Sequence, residues 1–232
     1  MTCCEFEENL QKTYEFVRLL HSSGKGKVFL IRHRTLKEKL VVRLTDRPLP
    51  AYERLKSVAH PNLVRVLDVI ALEDGYAELE EALSGITVEE VLETGLYRYR
   101  GAKAVLAEVC QGLSFLHEAG FIHRDVKTSN VMILDNGHCK LLDYDAARII
   151  APTSDTVRLG TPGYAAPEQY VGSSSVETDI YALGVLLNVM LTGRHPSEVL
   201  TRNLRARRIV LKATAVHPSR RFASAEEFRR AL

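Results

Sequence analysis

Between Ile180 and Leu191 the chain puts apolar side chains on nearly every side of a helix: Leu183, Val185, Leu186, Leu187, Val189 and Met190. A helix without a polar stripe has to be enclosed by other elements. The fold must therefore hold a helical layer thick enough to surround it. The 232 residues suffice for one large domain or two lobes around one cleft. A second helix is predicted by Ala102, Val105, Leu106, Val109, Leu113 and Leu116, which share one face before Gly120 ends it.

The chain before about Gly85 has a different texture. Tyr14-Glu15-Phe16-Val17, Val28-Phe29-Leu30-Ile31, Leu40-Val41-Val42 and Val64-Arg65-Val66-Leu67 are short, largely apolar runs that read as strands of an antiparallel sheet. Between Leu49 and Ala59 the spacing of Tyr52, Leu55 and Val58 turns helical, with His60-Pro61 as a stop. Val131 to Leu134 and Cys139 to Leu142 read as a hairpin joined by Asp135-Asn136-Gly137. A small sheet lobe with one inserted helix thus precedes a helical lobe.

Apolar residues make up 46% of the chain and charged residues 26%, which excludes disorder as the main state. No apolar run reaches the length of a membrane span, and the acidic start, Met1-Thr2-Cys3-Cys4-Glu5-Phe6-Glu7-Glu8, is no secretory leader. Cys3, Cys4, Cys110 and Cys139 form no CxxC pairs and no zinc spacing with His117 or His138. Reduced, cytoplasmic protein is the simplest reading, with Cys110 and Cys139 as buried thiols.

The chemistry is concentrated after the second helix. His123-Arg124-Asp125-Val126-Lys127-Thr128-Ser129-Asn130 is followed by Leu142-Asp143-Tyr144-Asp145. Then come Gly160-Thr161-Pro162-Gly163-Tyr164-Ala165-Ala166-Pro167-Glu168 and Thr178-Asp179-Ile180-Tyr181-Ala182-Leu183-Gly184. This ordered series strongly resembles the eukaryotic-type (Hanks-type) protein serine/threonine kinase family, in its compact bacterial form: HRDxKxxN, DFG, APE and an aspartate opening a buried helix. The resemblance runs from about Tyr14 to Leu232 and implies an α+β, bilobal protein-kinase-like fold. Residues 1–232 would be one kinase domain, with an antiparallel-sheet N-lobe over about 1–82 and a mainly helical C-lobe over about 83–232.

The resemblance also implies roles. Asp125 would accept or orient the proton of a substrate hydroxyl, and Lys127 would touch the transferring phosphoryl group. Asn130 and Asp143 offer hard oxygen ligands suited to magnesium on ATP phosphates. Lys127 and Gly160-Thr161 match serine/threonine kinases, with Thr161 lining the acceptor pocket. Val28 and Val41 would face the adenine from one side and Met132 from the other, with Glu80 to Ala82 as the connector bonding its edge. Arg124 matches kinases whose activation segment is ordered by phosphorylation, with Thr153, Ser154 and Thr156 as candidate sites. Asp179 would hold the catalytic-loop backbone, Glu168 and Arg220 would form a buried ion pair, and His123 and Tyr144 would pack.

The sheet lobe departs from the family pattern. Of the glycine loop that should end at Val28, Gly26 alone stands in a glycine position; His21 and Ser23 fill the others, with Gly24 one place along. Arg43 replaces the phosphate-binding lysine, and arginine is larger and planar. Ala51 occupies the position of that lysine's glutamate partner, and Glu53 is either a substitute or a surface residue. Asp145 replaces a glycine; it either restricts flipping of the loop or adds a magnesium ligand through water.

The leading expectation is an ATP- and magnesium-dependent protein serine/threonine kinase able to phosphorylate itself. The runner-up is a pseudokinase scaffold, motivated by Arg43 and the degenerate glycine loop. A small-molecule phosphotransferase is disfavoured by the segment from Gly160 to Glu168. The basic cluster of Arg202, Arg205, Arg207, Arg208 and Lys212 is expected to dock an acidic partner. No aromatics interleave to stack bases, so nucleic acid is not expected as a partner, and without a spanning apolar run neither is a membrane.

Overall fold

The structure is a computed structural model that describes residues 1–24, 26–56, 58–150 and 161–232. Thr153, Ser154, Thr156 and Gly160 lie outside the described residues. The chain separates into two compact units, Met1–Ala59 with Val64–Leu83, and His60–Leu63 with Ser84–Leu232.

The first unit opens with a helix that sequence periodicity did not announce, α1 (Cys3–Thr13). The Thr2 hydroxyl accepts the Glu5 N–H while the Glu5 carboxylate accepts the Thr2 N–H, a reciprocal cap that starts it. There follow β1 (Tyr14–Ser23), β2 (Gly26–His33), β3 (Lys39–Thr45), α2 (Pro50–Leu55), β4 (Val66–Ala71) and β5 (Tyr76–Glu81). The strands pair antiparallel in the order β1-β2-β3-β5-β4. Side-chain alternation gives this sheet two unlike faces. Phe29, Ile31, Val42, Leu44 and Ala77 form one buried apolar cluster, closed by Phe6 of α1. The other parity brings Val41, Arg43 and Thr45 of β3 opposite Glu80, Glu78 and Tyr76 of β5.

Two sequence expectations shift here. The strand read at Val64 begins at Val66, and the helix read over 49–59 is only Pro50–Leu55. Pro50 in the first turn fixes where α2 starts. Gly26 is required by the sheet itself: at φ 147°, a Cβ would lie 2.0 Å from the Leu44 carbonyl oxygen.

The second unit contains β6 (Gly85–Thr87), α3 (Val88–Thr94), α4 (Tyr99–Glu118), β7 (Phe121–Ile122), β8 (Val131–Leu134), β9 (Cys139–Leu141), β10 (Arg148–Ile149), α5 (Val176–Thr192), α6 (Leu204–Ala213) and α7 (Ala225–Ala231). β6, β8 and β9 form one small sheet, and β7 pairs with β10. Ile180, Leu183, Val185, Leu186, Leu187 and Met190 of α5 are all buried, so the all-round apolar helix is enclosed, as its sequence required. A Cβ on Gly184 would stand 2.6 Å from that of Ala213, so glycine permits the close approach of α6. His60–Leu63 belongs with this unit because Asn62 donates to Glu108 Oε2 at 2.9 Å and to the Cys139 carbonyl at 3.0 Å. Cys110 and Cys139 are buried free thiols; burial pushes Cys110 up and Cys139 to about 12. No helix among the described residues is long and apolar enough to cross a membrane.

The ion pair expected of Glu168 and Arg220 forms instead with Arg221. Its Nη1 lies 2.6 Å from Glu168 Oε1 and its Nη2 2.8 Å from Oε2. Arg220 ends a 3-10 turn (Pro218–Arg220) and points to solvent, whereas the next residue turns inward. Arg221 also donates to the carbonyls of Ala215, Val216 and Glu177. Removing one partner of such a pair strands a buried charge, so Arg221→Met should cost about 3–5 kcal/mol in urea unfolding. Arg220→Met should change stability by less than about 0.5 kcal/mol; equal losses at the two positions would contradict the pairing.

Candidate active site

The site in the second unit is anchored from below by Asp179 in the first turn of α5. Its side chain is fully buried, with Oδ2 accepting the His123 N–H at 2.9 Å and Oδ1 the Arg124 N–H at 2.7 Å. His117 Nε2 lies 2.8 Å from Oδ2. Burial pushes the Asp179 carboxyl up, but the His117 hydrogen bond, the nearby imidazoles and the His123 N–H outweigh it and hold it below the usual range. These bonds fix the turn in which Arg124 takes φ 69°, a conformation an arginine adopts only when its surroundings enforce it. His123 packs edge-on against Tyr144, both buried, and its Nε2 lies 3.1 Å from the Leu142 carbonyl oxygen.

On this base stands a closed set of polar groups around Asp125. Thr161 donates to Asp125 Oδ1 at 2.6 Å, and Lys127 donates to Oδ2 at 2.7 Å and to the Thr161 hydroxyl at 2.9 Å. Asn130 Nδ2 donates to the Asp125 carbonyl at 2.9 Å and to Oδ2 at 3.1 Å. A carboxylate offers roughly four acceptor positions. Among the described residues, Thr161, Lys127 and Asn130 take three of them, which leaves one on Oδ1 for a further donor.

Asn130 closes a 3-10 turn (Thr128–Asn130), and its carbonyl accepts the Leu142 N–H at 2.8 Å. That bond ties the catalytic loop to the residue before Asp143. Asp143 itself takes φ 66°, and its Oδ1 accepts the Asp145 N–H at 3.1 Å. The positive φ therefore falls on Asp143, not on Asp145, so the missing glycine costs no backbone strain there. The Asn130 amide spends its N–H groups on Asp125, so its oxygen is left as an acceptor. Among the described residues no group of three or more His, Cys, Asp or Glu could hold a metal. One amide oxygen and one carboxylate fit magnesium, which takes few protein ligands and completes its shell with phosphates and water.

In the first unit, Val28 on β2 is buried, Val41 on β3 is partly buried, Glu80 on β5 is buried and Ala82 follows β5 partly buried. Met132 lies partly buried on β8 of the second unit. Arg43 is buried with its guanidinium 5.6 Å from the centre of the Tyr52 ring. Its Nε is 3.9 Å from Glu80 Oε1, and Glu78 stands directly opposite it in the ladder. Glu53 is exposed on α2, which answers the alternative left open by the sequence: it is a surface residue. Sequence reasoning missed Glu78, Tyr52 and His117. Glutamates alternating with Ala77 and Leu79 read as a solvent face, and only the register with β3 shows otherwise.

Glu78 is 0% exposed, and its burial raises its pKa to about 7 despite the Thr45 hydrogen bond and the Arg43 charge. The folded state then holds a proton that the unfolded chain releases above the ordinary value of 4.5. Stability is fully present below that value and is lost as pH rises through about 7. Wild type should lose roughly 3 kcal/mol between pH 4 and pH 8 relative to Glu78→Gln, measured by denaturant unfolding. Parallel pH profiles would reject the shift.

The family described as protein kinase domain matches residues 14–229. The serine/threonine-protein kinase PknB of Mycolicibacterium smegmatis is 31% identical, over 96% of this chain and 43% of that protein. PknB of Mycobacterium tuberculosis is 31% identical over 95% of this chain and 42% of its own length. The serine/threonine-protein kinase PknL of Mycobacterium tuberculosis is 38% identical over 72% of this chain and 40% of its own. The chain thus spans less than half the length of these curated relatives. Family match, motif order and the groups assembled around Asp125 agree: the chain belongs to the protein kinase family.

Proposed function

We propose that the chain is a protein serine/threonine kinase domain that transfers the γ-phosphate of ATP to a serine or threonine hydroxyl, with magnesium, and that it can phosphorylate itself. One observation carries the reading: Thr161, Lys127 and Asn130 converge on Asp125 and leave one acceptor position beside them. A substrate hydroxyl donating there has its proton oriented toward a carboxylate and its oxygen turned toward phosphorus. Lys127, held by both Asp125 and Thr161, supplies positive charge for the transferring phosphoryl group. Thr161, bonded to both, fixes the separation of Lys127 and Asp125. Asn130 and Asp143 would hold magnesium, which when bound neutralises the triphosphate. From the sheet unit Gly26, Val28, Val41, Arg43, Glu80 and Ala82 are assigned to the nucleotide, and Met132 from the other.

We assign residues 1–232 to one kinase domain, acting in the cytoplasm on protein substrates. Arg202, Arg207 and Arg208 are exposed, which supports an acidic docking partner; Lys212 in the same cluster is engaged by Glu227 at 2.9 Å.

The test is transfer of labelled phosphate from ATP to the chain itself and to a generic protein acceptor. Asp125→Asn should lower the rate at least a hundredfold while ATP affinity changes less than about threefold. Transfer by this variant at the wild-type rate would reject Asp125 as the base. The replacement of lysine by Arg43 favours a second reading, a scaffold without catalysis. It is the correct one if wild-type protein binds ATP yet transfers nothing.

A further inference from the structure

The buried face of the sheet in the first unit gathers more charge around Arg43 than its assignment to the nucleotide alone accounts for. Arg43 of β3, Glu78 and Glu80 of β5, Thr45 and the Tyr52 ring are gathered on one side of the ladder, nearly all out of solvent. Three ionisable groups in such a place are costly unless they compensate one another. The side opposite carries the apolar cluster of Phe29, Ile31, Val42, Leu44 and Ala77, so the sheet had an inexpensive alternative that the sequence does not take. A buried charge set of this kind is kept where it holds something in place.

We propose that Glu78 is the positioning residue for Arg43, so that the cation assigned to the nucleotide phosphates is oriented from within its own sheet by β5, not by an acid on the inserted helix. This rests on the reading of Arg43 as the phosphate-binding cation. The geometry supports it in three ways. Register places Glu78 directly across from Arg43, the closest side-chain relation a pair of antiparallel strands provides. The Thr45 hydroxyl lies 3.1 Å from Glu78 Oε1 and 3.0 Å from the Arg47 carbonyl, its one proton shared between the two acceptors, so the carboxylate has a neighbouring donor. Tyr52 of α2 presents a ring face to the guanidinium, which suits the planar cation of an arginine and not the compact one of lysine. Ala51 occupies the place at which a helical acid would stand, and Glu53 is turned outward.

A cation held by a sheet differs from one held by a mobile helix. β3 and β5 are hydrogen-bonded along six residue pairs, so Arg43 and Glu78 keep their relation whatever α2 does. Arg43 would therefore be set for phosphate without a helix movement to switch it on. The charge of Glu78 governs the arrangement. The groups facing it are Arg43 from β3, Glu80 from its own strand, the Thr45 hydroxyl and, from β4, the apolar Val69; the charged residues Glu53 and Arg54 of α2 are exposed. With Glu78 ionised the guanidinium is clamped; with Glu78 protonated Glu80 is left as the β5 anion beside it.

The experiment measures the dissociation constant for ATP with magnesium by calorimetry between pH 6 and pH 8.5. It compares the full chain with Glu78→Gln, Glu78→Asp, Glu53→Gln and Arg43→Met, each verified by its unfolding transition. At pH 8 Glu78→Gln should bind about tenfold more weakly and Glu78→Asp should recover most of the loss. Glu53→Gln should bind as wild type does. The advantage of wild type over Glu78→Gln should shrink as pH falls through about 7, a comparison in which titration of ATP itself cancels. A folded Glu78→Gln that binds as wild type at every pH, while Arg43→Met binds weakly, overturns the positioning role alone. Unchanged binding by Arg43→Met overturns the phosphate-binding reading and the proposal with it. A loss in Glu53→Gln equal to that in Glu78→Gln would return the role to the helix and defeat the proposal.

Discussion

A single carboxylate, that of Asp179, sets the geometry of the loop that runs from His123 to Asn130. It is buried at the start of α5, a helix otherwise enclosed by apolar neighbours, and an ionised group there is tolerable only if its oxygens are saturated. The donors that saturate it are the backbone N–H groups of His123 and Arg124 and the His117 ring. The loop is thereby nailed to the buried helix α5. Its strained turn at Arg124 is held by bonds whose loss would leave a bare charge inside. That asymmetry is what lets Asp125, Lys127 and Asn130 present a fixed arrangement although they lie on irregular chain.

The sheet unit solves a different problem. Its apolar face is closed by Phe6 of α1, so stability can come from that side. The opposite face carries Arg43, Glu78 and Glu80, and the burial of Glu78 costs stability as pH rises through about 7. The two faces differ along one ladder: alternation gives β3 and β5 one residue in the apolar cluster and the next on the charged face.

Much of the second unit was legible because its chemistry is local in sequence. Asp125, Lys127 and Asn130 lie within one loop, and the apolar circuit of Ile180 to Leu191 demanded enclosure. The ion pair to Glu168 was misplaced by one residue because Arg220 and Arg221 are chemically identical, and the direction of each depends on where a 3-10 turn ends. α1 escaped notice since Phe6 and Leu10 make a stripe too narrow to stand out from its charged neighbours. Glu78 was invisible for the opposite reason: alternating acids are the ordinary mark of a wet face, and only the pairing of β5 with β3 places an arginine across from them.

The departures from the family pattern are not independent of one another. Arginine at position 43 needs more room and more donors satisfied than lysine would. The absence of an acid at Ala51 leaves α2 free to offer Tyr52 to the guanidinium instead, and the helix is only Pro50–Leu55. Glu78, opposite Arg43 in the ladder, and Glu80, 3.9 Å from its Nε, then supply the negative charge from the neighbouring strand. Each change alone would strand a charge or open a gap; together they exchange a helix-to-sheet ion pair for one inside the sheet. A chain degenerating without use for its cation would more simply have replaced Arg43 by an apolar residue, as its buried surroundings invite.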